Sequence, residues 1–152
     1  MGAVKGVGVD VVDVGEVAYL GGFGAAARDD ARCNDVDACD GSLVGAGKRN
    51  AFMRRVFTDA EWSEGTSLAY PAAYFAGRFA AKEAVFKAIS DSVGDAFDLR
   101  CVETLFDEGG RPAVSMDGAV GEAMSKGGIG DIAVSIMREG GSVYAFAFAL
   151  AR

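Results

Sequence analysis

An α+β fold is what this sequence predicts, and three observations carry the prediction. A period-two strand pattern opens the chain, one long helical segment begins at Pro71, and two strand-turn-strand segments follow it. Antiparallel pairs placed after a helix, rather than strands alternating with helices, separate this class from a parallel α/β sheet. The 152 residues predict one domain, with the segment 21–50 as a flexible insertion.

The elements follow in order. Residues 4–12, VKGVGVDVV, set Val7, Val9 and Val11 on one face and Gly8, Asp10 and Val12 on the other, so Asp10 points away from the valine face. Residues 13–20 continue as a short helix. Residues 21–50 then turn to Gly, Ala and Asp with few large apolar side chains. Within them DVDACDG approaches a calcium loop, but the spacing needs an acid where Cys39 stands and a glycine where Asp40 stands, so calcium is not expected. Thr58, with Glu61 three residues on, makes a capping box that opens a short helix through Trp62. Pro71 starts the main helix, 71–90, and Gly94 lies beyond its end. LRCVETLF (99–106) reads as a strand, DEGG as a turn, RPAVSM as the partner strand, and 118–126 as a short helix. DIAVSIM and VYAFAFAL, joined through REGGS, form a last hairpin whose second strand alternates Tyr144, Phe146 and Phe148 with alanines. There is no internal repeat.

Composition narrows the function. The chain is 51% hydrophobic, with the excess spread as Ala, Val and Phe, which predicts apolar surface in a subunit interface. No stretch approaches a membrane span, the amino end lacks a signal-peptide pattern, and Cys33, Cys39 and Cys101 have no pairing or metal spacing. A cytoplasmic protein with free thiols and no membrane partner is expected. A formal charge of −7 argues against nucleic-acid binding, although Lys48, Arg49, Arg54 and Arg55 form a local basic segment. The absence of histidine removes histidine triads, zinc sites with histidine and a histidine base, leaving carboxylates, lysines and metal-bound water.

The long helix holds the informative residues. Phe75, Phe79, Phe86 and Ile89 form an apolar stripe at helical spacing; Lys82 falls inside it and Glu83 at its edge, with Lys87 one turn after Glu83 and Arg78 one turn before Lys82. Two readings are open. Glu83 and Lys87 can form an ordinary i,i+4 pair while Lys82 snorkels to water. Alternatively a carboxylate and two cations converge beside the core, which suits a diphosphate with its divalent ion. Asp10, beside Gly8, is the second candidate carboxylate, and Asp13 and Glu16 compete with it as solvated acids at a helix start.

GVGVDVVDV near the start, FTDAEW before the long helix, AGRFAAKEAVFKA on it and VSI in the last hairpin occur together in this order. In that combination the chain resembles the holo-acyl-carrier-protein synthases, one branch of the 4′-phosphopantetheinyl transferases, from end to end apart from 21–50. The resemblance implies a long central helix packed on a small antiparallel sheet. It implies transfer of phosphopantetheine from coenzyme A to a serine of an acyl carrier protein or carrier domain, with release of 3′,5′-ADP. It further implies that Asp10 and Glu83 hold magnesium and that Lys87 contacts the diphosphate or aids the transfer. Arg78, Lys82 and Gly77 would shape the coenzyme A pocket, and Val12 would stand where longer relatives carry another acid. Glu83 or a metal-bound water would take the serine proton. A homotrimer with sites between subunits completes what the resemblance implies.

The chain also departs from its relatives. Many read VSI-x-H in the last hairpin; here Arg138 replaces the histidine, which keeps a phosphate-binding cation but removes a proton carrier. Relatives dock the carrier with cations on the helix after the first strand, whereas this chain has Glu16 and no cation between Lys5 and Arg28. The basic segment from Lys48 to Arg55, with Arg54 and Arg55, is the expected replacement, and the expected partner is a less acidic carrier domain within a large fatty-acid or polyketide synthase. The rival readings are a non-catalytic coenzyme A or carrier binder of the same fold, a magnesium-dependent hydrolase of nucleotide diphosphates, and a purely structural trimer.

Overall fold

The computed structural model describes residues 2–23, 50–95 and 97–152. Most of the 21–50 segment lies outside them, including DVDACDG, Cys33, Cys39, Lys48 and Arg49.

The main sheet has three antiparallel strands in the order β1-β5-β4: β1 (Val4–Asp13), β4 (Ile129–Glu139) and β5 (Ser142–Ala151). The expected hairpin is therefore present, and the first strand docks on the last, with Asp10 opposite Ala145 and Ala145 opposite Ile136. α1 (Val14–Gly21) leaves β1 directly, its amino end capped by the Asp13 side chain, which accepts from the Glu16 N–H. α2 (Ala51–Val56) is capped by Asn50 and α3 (Asp59–Thr66) by both halves of the Thr58/Glu61 box. α4 (Pro71–Ile89) begins on its proline. β2 (Thr104–Phe106) and β3 (Pro112–Val114) form a small second sheet, and α5 (Gly118–Gly127) precedes β4.

Three expectations are corrected. α2 has no counterpart in the sequence reading, being a helix of six residues without a full apolar period. The predicted strand 99–106 starts instead with a 3₁₀ turn at Leu99–Cys101, and only Thr104–Phe106 pairs. The physical reason is the buried Lys82 ammonium, which draws the Leu99 and Val102 carbonyls out of a ladder geometry. The third concerns α4, which carries buried residues all round rather than one stripe; Phe79 and Phe86 lie at its margins while Ala80, Ala81, Ala84, Ala88 and Phe75 are in the core.

The sheet meets α4 through its small residues. On β5 the alanines 145, 147 and 149 face the helix fully buried, and the aromatics Phe146 and Phe148 face outward. On β1, Gly6 and Gly8 lie so close to α4 that a Cβ added to Gly8 would sit 1.8 Å from the Ala84 carbonyl oxygen, and one on Gly6 1.9 Å from that of Ala88. Val7, Val9 and Val11 occupy the opposite face and remain 56%, 47% and 54% exposed. Behind α4, Phe75 forms the centre of an aromatic cluster, with Phe57, Phe23 and Trp62 at ring distances of 4.9, 5.2 and 5.5 Å. Among the described residues no helix is long and apolar enough to cross a membrane.

Candidate active site

The glycine contact between β1 and α4 sets two carboxylates and a lysine side by side. The Lys87 ammonium donates to Asp10 Oδ1 at 2.7 Å and to the Val9 carbonyl at 3.0 Å. Lys87 thus pairs across the helix–strand contact and not with Glu83, its i,i+4 neighbour. Burial raises the Glu83 carboxyl above its ordinary range, the Asp10 charge raises it further, and Lys87 opposes both. Both carboxylates line a cavity of about 280 Å³ whose other walls are Val11, Val12, Glu16, Val17, Leu20, Phe52 and Phe79. Of the competing acids, Asp13 is occupied as a helix cap, whereas Glu16 reaches the cavity wall.

The remaining predicted ligands do not converge on this cavity within the chain. Lys82 does not snorkel: it is fully buried, 2.9 Å from Glu61 Oε1, and donates to the carbonyls of Val102 at 2.6 Å and Leu99 at 3.3 Å. Burial depresses its pKa against the pull of Glu61. Arg78 is buried on the same side, 3.5 Å from Glu64 Oε2, with its guanidinium between the rings of Tyr74 and Phe106 at 4.6 and 4.4 Å. Gly77 faces the sheet, where an added Cβ would contact Ile136 and Val143 at 3.4 and 3.7 Å. Arg138 lies on β4 in the row Arg138, Val143, Val12, so two strand spacings, roughly 9–10 Å, separate it from Val12. Arg54 and Arg55 are exposed on α2, which also supplies Phe52 to the cavity.

Glu61 is the residue that sequence reasoning undervalued. Its side chain is fully buried and accepts from the Thr58 and Thr104 N–H groups at 2.9 and 2.8 Å besides pairing with Lys82. The capping box signalled its local bond; its partner twenty-one positions away carried no local signal.

Two carboxylates and a half-exposed ammonium at an open cavity can neutralise a phosphate group and bind a hard cation, while no other described side chains supply a third metal-ligating group. The fold and the site thus define an α+β protein with two carboxylates on one open cavity and a lysine bonded to one of them. The chain belongs to the 4′-phosphopantetheinyl transferase superfamily, whose sequence profile matches residues 6–137. It is similar to the holo-[acyl-carrier-protein] synthase of Chlorobaculum tepidum, 44% identical over 66 residues that cover 43% of this chain and 56% of that one. It is also similar to the fatty acid synthase subunit alpha of Schizosaccharomyces pombe, 38% identical over 89 residues, 58% of this chain and 5% of that one. The solved holo-[acyl-carrier-protein] synthase of Neisseria meningitidis superposes with a TM-score of 0.70 at 25% identity, over 97% of this chain and 98% of that one. The chain spans little more than half, 56%, of the first of these relatives.

Proposed function

We propose that this chain transfers the 4′-phosphopantetheine group of coenzyme A to a serine of an acyl carrier protein, releasing 3′,5′-ADP. The observation that carries the reading is the meeting of Asp10 and Glu83 on one cavity, with Lys87 bonded to Asp10. In this reading Asp10 and Glu83 hold a magnesium ion. The donor set fits: two carboxylates, one of them disfavoured as an anion by burial and then by its neighbour, beside open space for water and phosphate oxygens. When bound, the ion supplies charge neutralisation at the diphosphate.

The chain's own residues do the rest. The serine oxygen attacks the phosphorus attached to pantetheine, the bond to the bridging oxygen breaks, and 3′,5′-ADP leaves with that oxygen. Lys87, whose side chain is 47% exposed, turns from Asp10 to the diphosphate and balances charge on its oxygens. Glu83 or a water held by the ion would accept the serine proton. Val12, Phe52 and Phe79 give the cavity an apolar wall beside the two carboxylates.

Two features of the assembly belong to the same reading. The outward face of the sheet, with Val7, Val9, Val11, Phe146, Phe148 and Met137 exposed, supports a homotrimer built on that face. Arg138, two strand spacings from Val12 within one chain, then meets coenzyme A held by a neighbouring subunit, while the buried Arg78 stays with Glu64. A cytoplasmic location accords with the exposed free thiol of Cys101. The test is the intact mass of apo carrier proteins incubated with coenzyme A, magnesium and either the chain or its Glu83→Gln variant. A gain of one phosphopantetheine that disappears in the variant or with chelator is expected. Coenzyme A binding with no gain on any carrier would replace the transferase by a binder.

A further inference from the structure

We infer that the Lys87–Asp10 pair is a placeholder contact: the Lys87 ammonium holds a carboxylate oxygen that a divalent ion needs, so the ion binds weakly alone and tightly only together with a diphosphate that draws Lys87 away. The inference rests on the reading that Asp10 and Glu83 hold the ion.

Occupancy of the donor is the first argument. Lys87 donates to Asp10 Oδ1 at 2.7 Å and to the Val9 carbonyl at 3.0 Å, so two of the three ammonium donors are spent on β1. An ion that takes Asp10 displaces both bonds. The second argument is that the pair is held but not locked. The Lys87 side chain is 47% exposed and that of Asp10 19%, so the carboxylate is largely withdrawn from water while the lysine keeps a path out. Lys82, on the same helix, is the contrast: fully buried against Glu61 and two carbonyls, it has no such path.

Charge balance supplies the coupling. Asp10 and Glu83 line one cavity, and among the described residues no third histidine, cysteine, aspartate or glutamate groups with them as a metal ligand. Two carboxylates match one divalent ion, so an ion that arrives alone leaves the Lys87 ammonium as a surplus cation beside it. A diphosphate changes both sides of that balance. Its oxygens complete the coordination of the ion, and they give the released ammonium new acceptors. The ion and the diphosphate therefore favour each other through Lys87 as well as through direct contact, and the effect is reciprocal.

The experiment measures Mn²⁺ binding, read from the electron paramagnetic resonance of the free ion, to the wild-type chain, Lys87→Met and Lys87→Arg, with and without coenzyme A. Binding of the ion to coenzyme A alone is measured separately and subtracted. Lys87→Met is expected to bind the lone ion about fivefold more tightly than the wild type, and coenzyme A should then tighten the ion by about fivefold less than it does in the wild type. Lys87→Arg, which keeps the cation, should restore both values toward wild type. Trace acetylation read by peptide mass follows the ammonium itself: Lys87 of the wild type should label faster with Mn²⁺ alone and be shielded again once coenzyme A is added. Equal lone-ion affinity in the wild type and Lys87→Met, an equal coenzyme A effect in both, or Lys87 labelling indifferent to Mn²⁺ overturns the placeholder. Phosphopantetheine transfer that persists alongside any of these results leaves the transferase standing. The coupled pattern with no transfer to any carrier keeps the placeholder and removes the transferase.

Discussion

Replacing Lys82 by Met tests the reading that this lysine is a buried structural cation and not a coenzyme A ligand. Methionine keeps most of the stem volume and removes the ammonium. What stays behind is a fully buried Glu61 carboxylate with two N–H donors, and two carbonyls, of Leu99 and Val102, that have lost a donor. Removing one member of a buried pair costs about 3–5 kcal/mol, and the two N–H bonds left to Glu61 place this site at the lower end, near about 3 kcal/mol. Glu61→Gln is expected to cost a similar amount, since it leaves the ammonium with carbonyls alone. The double variant buries no charge, so it should fall about 2 kcal/mol short of the sum of the singles. Urea unfolding, followed by the fluorescence of Trp62 stacked on Phe75, measures all three. The pH dependence has a defined sign. Burial lowers the folded Lys82 pKa below the ordinary 10.5, so the unfolded chain binds more protons in the window just below that value and stability rises with pH across it. Lys82→Met should flatten that rise. A loss under about 1 kcal/mol, or strictly additive singles, would refute the buried-pair account.

The other predictions concern the site and the sheet. Gly8→Ala forces β1 and α4 apart, because its Cβ would lie 1.8 Å from the Ala84 carbonyl oxygen; a loss of about 3 kcal/mol or more in urea unfolding is expected. Glu83→Gln should lower transfer at least about 100-fold in the mass assay. It should also raise the melting temperature of the metal-free protein by about 2–4 °C, because ionising Glu83 is disfavoured by the fold and wild-type stability falls as pH rises from 4.5 through the raised value. Val9→Asp places a charge on the exposed valine face and should shift sedimentation to a smaller species while a monomer keeps its helix content.

Particular residues show which parts of this were legible. The direction of Asp10 followed from the alternation around it, and the capping box and Pro71 fixed two helix starts, because these signals are local. That the valine face would be the outer one was not legible. Valine ordinarily marks the core side, and only the paired small residues, Gly6 and Gly8 against the alanines of α4, reverse the assignment. The same limit applies to the ion pairs. Spacing on the helix suggested Glu83 with Lys87, but the strand offered Asp10 at 2.7 Å, a contact that depends on how closely two distant segments approach. Lys82 and Arg78 looked like ligands because cations in an apolar stripe require an explanation; Glu61 and Glu64 supply it from another helix.

The contact of Gly6 and Gly8 with the α4 carbonyls has a consequence for how this centre varies. Where two elements meet through large side chains, a substitution can be absorbed by neighbours that change rotamer. Here main chain rests on main chain, and nothing between them can adjust. The spacing of Asp10 from Glu83 and Lys87 is therefore inherited from backbone geometry. Substitutions elsewhere in the core can change how long the protein lasts while leaving its reactive groups in register. Changes at the glycines have no such latitude, so chemistry and folding fail together.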